Sequence, residues 1–284
     1  MKQIDQFESI FRSALKDVYK YRKLSVKSVL VVTDRKESKL EEYLEDLRCF
    51  LAVLGTDVKW TIFDDEKHFT AVHLLEKVAE VKPDLICTYR NLHSAAWQYP
   101  YSLGEHLDVL MQKTAQPVMI LPHPDDTSIY PHAMVNTNRV MTMTDHLAKD
   151  HRLIDYGILF TEPQGILFLS HIEDQRTFSR YMEVISRIPD IDTDHAAEEI
   201  RARLVKEPSD YIDSCIASAH ENKLPIEVKK IVGFGHHISE YRKLIEEHEI
   251  DLLIMNSKDD DQLAMHGMTY PLAVELRQIA LLFL

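Results

Sequence analysis

Two aspartates follow short apolar runs of the same form, Val31-Val32-Thr33-Asp34 and Met143-Thr144-Asp145. An aspartate there either caps the turn and helix that follow or is left to face a ligand. Gly233-Phe234-Gly235, with His236 next, ends a strand just before a helix that starts near Ile238. Paired glycines let backbone N–H groups approach a phosphate, and they equally make a tight strand-to-helix turn. Fifteen histidines raise the question of a metal. The nearest groups, His68 with His73, His123 with His132, His146 with His151 and the adjacent His236-His237, lack the i, i+4 spacing with a carboxylate of a helical zinc site, and no Cys-x-x-Cys accompanies them. They read as solvated loop histidines, and no metal is expected. His171, at a strand end with no nucleophile elbow nearby, reads as a packed or hydrogen-bonded histidine.

The elements that must position these groups alternate. A strand at 28–33 is followed by a helix at 38–54 stopped by Gly55, a strand at 58–63, a helix at 70–81 and a strand at 85–88. A helix at 104–114 and a strand at 118–121 close the segment. Three prolines and several Asp and Asn residues then mark 122–138 as a surface-exposed linker. Strands at 139–144, 166–171, 228–234, 252–255 and 280–284 follow, with helices at 241–247 and 268–278. Residues 1–24 precede all this as an amphipathic helix with a basic cast (Arg12, Lys16, Lys20, Arg22, Lys23). Such alternation argues for parallel βαβ units.

Charge narrows the partners. With 33 Lys and Arg against 46 Asp and Glu the net charge is -13, so the summed field repels a nucleic-acid backbone and no nucleic acid is expected. No apolar run reaches the roughly 18–20 residues that span a bilayer, which points to a cytoplasmic protein without a membrane partner. Cys49, Cys87 and Cys215, odd in number and set among apolar residues, read as reduced thiols.

The pattern repeats. Asp84-Leu85-Ile86 matches Asp251-Leu252-Leu253, and a glycine precedes the closing strand by the same interval in each copy, Gly104 to Pro117 and Gly267 to Ala280. The chain therefore divides into residues 25–121, an abridged first copy, the linker 122–138, and 139–284, a second copy with a helical insertion at about 173–225. In order and spacing these pieces resemble the tandem form of the universal stress protein family. That resemblance implies two doubly wound, Rossmann-like α/β domains with ligands at the carboxyl ends of the strands. It also implies an intramolecular pseudo-dimer made by antiparallel pairing of the two closing strands, and it leaves room for a further homodimer.

In ATP-binding members of the family a Gly-x-x-Gly follows the fourth strand, and a Gly-Ser or Gly-Thr comes later. Here those positions hold Tyr89 and Leu92, then Gly104-Glu105, in the first copy, and Asn256 and Asp259, then Gly267-Met268, in the second. The loop glycines whose N–H groups would reach phosphates are missing, and carboxylates stand in their neighbourhood. Asp34 and Asp145 match the family's adenine- or ribose-side aspartate. The implied function is a non-catalytic stress-response or regulatory binding module with degenerate nucleotide sites, no cofactor, and a protein partner or small ligand of unknown identity. The alternative is an ATP- or AMP-binding protein with slow hydrolysis in the second copy, drawing on Asp145, Gly233, Gly235 and His236. An enzyme with another substrate ranks below both, because no nucleophile, base and orienter assemble from the sequence.

Overall fold

The computed structural model describes residues 18–64, 70–144, 151–257 and 269–284. Among them, strands β1 (Ser28–Val32), β2 (Lys59–Phe63), β3 (Leu85–Tyr89), β4 (Val118–Leu121), β5 (Arg139–Met143), β6 (Ile166–Asp174), β7 (Glu227–Gly235), β8 (Leu252–Met255) and β9 (Ala280–Phe283) form one sheet. Its order is β2-β1-β3-β4-β9-β8-β5-β6-β7. The helices are α1 (Glu37–Phe50), α2 (Ala71–Val81), α3 (Glu105–Lys113), α4 (His151–Phe160), α5 (Gln175–Ile185), α6 (Thr193–Glu221), α7 (His237–His248) and α8 (Thr269–Glu275).

β1, β3, β4, β8 and β9 are apolar runs buried almost without interruption, as strands covered on both faces must be. Local signals set the helices: the Thr70 side chain caps α2 by accepting the His73 amide, and Gly55 ends the turn after α1 at a φ of 83°. Neighbouring strands are parallel except at the centre. There β4 and β9 run antiparallel, with Val118 opposite Phe283, Met119 opposite Leu282 and Ile120 opposite Leu281. The two doubly wound halves are thus paired as the expected pseudo-dimer, with one apolar core running from Tyr19 to Phe283. In each half the strand order reverses once, between β1 and β3 and between β5 and β8, the points where this architecture opens a crevice. β7, at the far edge beyond β6, has no counterpart in the first half. No helix among the described residues is long and apolar enough to cross a membrane.

Two sequence expectations need correction. Residues 18–24 carry no helix; the expected amphipathic helix otherwise lies outside the described residues. This segment docks on the second half, where the Tyr19 hydroxyl and the Arg22 amide both donate to Asp155 Oδ1, at 2.5 and 3.0 Å. The linker is not uniformly exposed, since His123, Ala133 and Thr137 are buried. Its chain has to pass from β4 to β5 across β9 and β8, where the Tyr130 amide bonds the Gln278 carbonyl and His132 Nε2 meets the Ile250 carbonyl, and that places part of it against the core. All three cysteines are free thiols, Cys87 and Cys215 buried and Cys49 exposed on α1.

The matched aspartates Asp84 and Asp251 do the same work in each half. Asp84 Oδ2 accepts the amides of Lys27 and Ser28 at 2.8 and 3.0 Å where β1 begins, and Asp251 Oδ2 accepts the Arg139 amide at 2.9 Å where β5 begins. Asp251 is the more deeply buried of the two, and burial, aided by nearby Glu162 and opposed by the Arg139 amide, pushes its carboxyl up to about 7. A folded-state value above the unfolded one contributes stability at low pH that is lost as pH rises through about 7. Asp251→Asn keeps an acceptor for the Arg139 amide and removes that slope. The variant is expected to gain on the wild type in melting temperature between about pH 5 and about pH 8. Parallel melting curves across that range would refute the assignment.

Candidate functional site

A crevice lies over the reversal between β1 and β3 in the first half. Asp34 directly follows β1, and the loop from Arg90 to Gly104 follows β3, so the topology brings them together. Tyr89, the last residue of β3, is fully buried, and its hydroxyl donates to Asp34 Oδ1. The same hydroxyl oxygen accepts the Asp34 amide at 3.1 Å and lies 2.8 Å from Thr33 Oγ1. Asp34 Oδ2 accepts the His93 amide at 2.6 Å. Burial alone would raise the Asp34 carboxyl, but the Tyr89 hydroxyl and the His93 amide hold it below its ordinary value. Burial, reinforced by Asp34, pushes the Tyr89 phenol far up, so it remains a donor.

The His93 amide, in the loop after β3, therefore already meets an anion, the protein's own carboxylate. The two positions that the sequence resemblance matches to loop glycines are filled by buried side chains, Tyr89 and Leu92. Gly104 is retained for a reason within the chain. Its φ is 91°, and a Cβ there would stand 2.9 Å from the Asn91 Cα. The Asn91 amide bonds the Leu103 carbonyl at 2.9 Å, which closes the loop on itself.

Aromatic groups line the crevice. Trp97 stacks on His123 with centroids 4.2 Å apart at 7°, and Tyr89 meets His123 edge-on at 5.0 Å. Burial, with nearby Arg35, pushes His123 down to about 4, and its Nδ1 accepts the Asp125 amide at 3.2 Å. The ring is therefore neutral near pH 7, with its proton on Nε2. Arg35 pairs with Asp125 at 2.7 Å, and Lys36 pairs with Asp64 at 3.4 Å. Lys39 has no ion-pair partner among the described residues and lines both the crevice, of about 510 Å³, and an adjoining groove of about 360 Å³. The hydroxyls nearby are engaged as well, Ser94 Oγ accepting the Ala96 amide at 3.1 Å and Thr33 Oγ1 the Arg35 amide at 3.1 Å. Volumes in this range suit a small ligand.

The second-half residues are dispersed. Asp145 and Gly267 lie outside the described residues, as does Asp259. Gly233 and Gly235 lie within β7, opposite Ile172 and Asp174, and do not form the turn the sequence suggests. A Cβ on Gly235 would stand 2.2 Å from Glu240 Cγ, so this glycine makes room for a side chain of the next helix that ends in a carboxylate. A Cβ on Gly233 would meet only Ile172 Cδ1, at an ordinary 3.7 Å. His236 is exposed at the start of α7 and caps nothing with its side chain. The Asn256 carbonyl, after β8, accepts the Thr269 hydroxyl at 3.0 Å. β7 and β8 are separated by β6 and β5, three strand spacings or about 14 Å, so the glycine pair and Asn256 do not share a crevice. His171 is packed as expected, with Nδ1 2.8 Å from the Thr144 carbonyl and Nε2 3.0 Å from Glu173 Oε1. His123 and His151 depart from the solvated reading, since His123 is buried against Trp97 and His151 stacks on Tyr19 at 5.6 Å.

Sequence reasoning did not anticipate Tyr89, His93, Trp97 and His123 as one cluster around Asp34. The available signal was positional for three of them, because Tyr89 ends β3, the strand beside β1 at the reversal, and His93 and Trp97 follow it, whereas His123 follows β4, one strand further out.

No protein-family model matches the chain, and no curated protein does. Among solved structures it is similar to a universal stress protein from Archaeoglobus fulgidus DSM 4304, at 14% identity over 90% of this chain and 87% of that one, with a TM-score of 0.47. It is also similar to a functionally unknown protein from Pseudomonas aeruginosa PAO1, at 13% identity over 91% and 92%, with a TM-score of 0.48. The strand order itself makes the chain a doubly wound α/β protein whose two halves share one sheet.

Proposed function

We propose that this chain is a universal-stress-protein-like regulatory binding module, non-catalytic, whose first-half crevice has given up the nucleotide grip. The observation that carries this reading is the engagement of Asp34 by the Tyr89 hydroxyl and the His93 amide. An ATP triphosphate would have to displace that carboxylate or lie beside it, and like charges at such range are costly. The remaining chemistry is that of a binding surface: a stacked Trp97–His123 pair, a lysine with no ion-pair partner among the described residues, and hydroxyls already committed to backbone amides. A small ligand or a protein segment is held there by stacking and by Lys39, with no activated nucleophile to act on it.

Calorimetry with ATP, ADP and AMP tests this, and Trp97 emission offers a second readout inside the crevice. The expected result is no saturable heat at micromolar nucleotide and unchanged Trp97 emission. Low-micromolar ATP affinity, or nucleotide carried through purification, would overturn it.

A further inference from the structure

Beside the crevice, the groove of about 360 Å³ runs between α1 and the linker. Lys39, Glu42 and Asp46 form its charged side, and Pro122, Ile129 and Met134 its apolar side. The three charged residues are exposed and recur at i, i+3 and i+7, so they stand in a row along one face of α1. None of their side chains has an ion-pair or hydrogen-bond partner among the described residues, and Lys39 and Glu42, one turn apart, do not pair with each other. Arg35, at the same end as Lys39, is already paired with Asp125 at 2.7 Å and adds no net charge with it.

The apolar side is fixed by contacts of its own. The Tyr130 amide bonds the Gln278 carbonyl at 3.4 Å, the Tyr130 hydroxyl donates to Glu246 at 2.9 Å, and Ala133 is buried. These contacts hold the linker in a shape that puts Met134 at a φ of 65°, a left-handed conformation unfavourable to a residue with a side chain. A wall held in this way is preorganised for a ligand. What complements the groove carries opposite charges at its two ends. A negative end meets Lys39 in the first turn of α1, where the helix dipole also favours an anion, and a positive end meets Glu42 and Asp46 further along. From residue 39 to residue 46 a helix rises about 10 Å, which is the length of about three residues of extended peptide. A single amino acid is too short to reach both ends, and a polyanion is repelled by the two carboxylates.

We propose that this groove binds a short zwitterionic peptide with apolar side chains, its carboxylate at Lys39, its ammonium at Glu42 and Asp46, and its side chains against Ile129 and Met134. The groove shares Lys39 with the crevice but needs neither the Trp97–His123 stack nor the engagement of Asp34. A nucleotide titration and a peptide titration therefore fail independently of each other. The charged contacts lie in solvent, so the affinity is modest and the two ends of the ligand, taken together, set the specificity.

Calorimetry of the full chain with the tripeptide Leu-Ala-Leu tests the proposal. The free tripeptide is expected to saturate with a Kd on the order of 0.1–1 mM. Acetylating its amine or amidating its carboxyl removes the charge at one end, and each is expected to weaken binding at least about threefold. The double variant E42Q/D46N, at exposed positions, is expected to melt as the wild type does and to bind the free and acetylated peptides alike, while amidation still weakens binding. K39Q is expected to show the reverse, losing its sensitivity to amidation and keeping that to acetylation. A general loss of fold cannot separate the two sensitivities in this way. No saturation up to about 10 mM, blocked peptides that bind as well as the free one, or variants that keep both sensitivities would each overturn the proposal.

Discussion

Leu282→Ala is expected to lower the stability of the whole chain by about 2–5 kcal/mol, the range for a fully buried leucine whose cavity collapses only in part. Leu282 stands between Met119 of β4 and Ile254 of β8, so the loss falls on both halves together. Deleting Leu281–Leu284 removes β9 and leaves β4 and β8 each with an unpaired apolar edge, and that variant is expected to aggregate. The two tryptophans make the coupling measurable. Trp60 lies in β2 and Trp97 follows β3, both in the first half, whereas the substitution is in the second. Tryptophan emission and far-UV circular dichroism should shift to the same lower temperature in L282A. An unmoved emission transition would show that the halves unfold independently.

The second large effect is expected at Arg90. This residue leaves β3 of the first half and buries its guanidinium against the end of α8 in the second. Nε and Nη2 donate to the Ala273 carbonyl at 3.0 and 2.5 Å, and Nη2 donates to the Leu276 carbonyl at 2.8 Å. Arg277 returns the contact by donating to the Trp97 carbonyl at 3.2 Å. Burial, with Arg277 nearby, pushes the Arg90 guanidinium down to about 9, which still leaves it charged near pH 7. Arg90→Met leaves two buried carbonyls without donors, at about 1–3 kcal/mol each. Relief of the guanidinium's own desolvation works in the other direction, so the expected net loss is about 2–4 kcal/mol. Urea unfolding reads it as a lower midpoint. A midpoint equal to or above that of the wild type would show that burying this cation is a net burden.

Most of the sheet is legible as apolar runs, because strands buried on both faces have no polar alternation to obscure them; 118–121 and 252–255 hold as strands with those bounds. α4 escapes the same reading for the opposite reason. Leu153, Ile154, Asp155, Gly157, Ile158 and Phe160 are all buried, so the helix has no polar face to give it a period, and a buried aspartate and a glycine break the pattern further. The candidate site is legible only in its anchor. Asp34 can be read from its strand, but its engagement depends on Tyr89, 55 residues away in sequence and brought beside it only by the pairing of β1 with β3. His123 looks like a linker residue among prolines until the pairing of β3 with β4 sets it against Tyr89 and Trp97.

The antiparallel joint at the centre of the sheet also sets an order of events on the ribosome. β4 is made early, yet the strand that covers it is made about 160 residues later. At roughly 5–20 residues per second the nascent first half waits on the order of 10–30 s with Val118–Leu121 as an open apolar edge. Contacts this distant in sequence are slow to close, and an open edge is where strands from other chains add. A slow translation rate or a shortage of chaperones should therefore tell first on the amino-terminal half, even though the strand it lacks belongs to the carboxyl-terminal one.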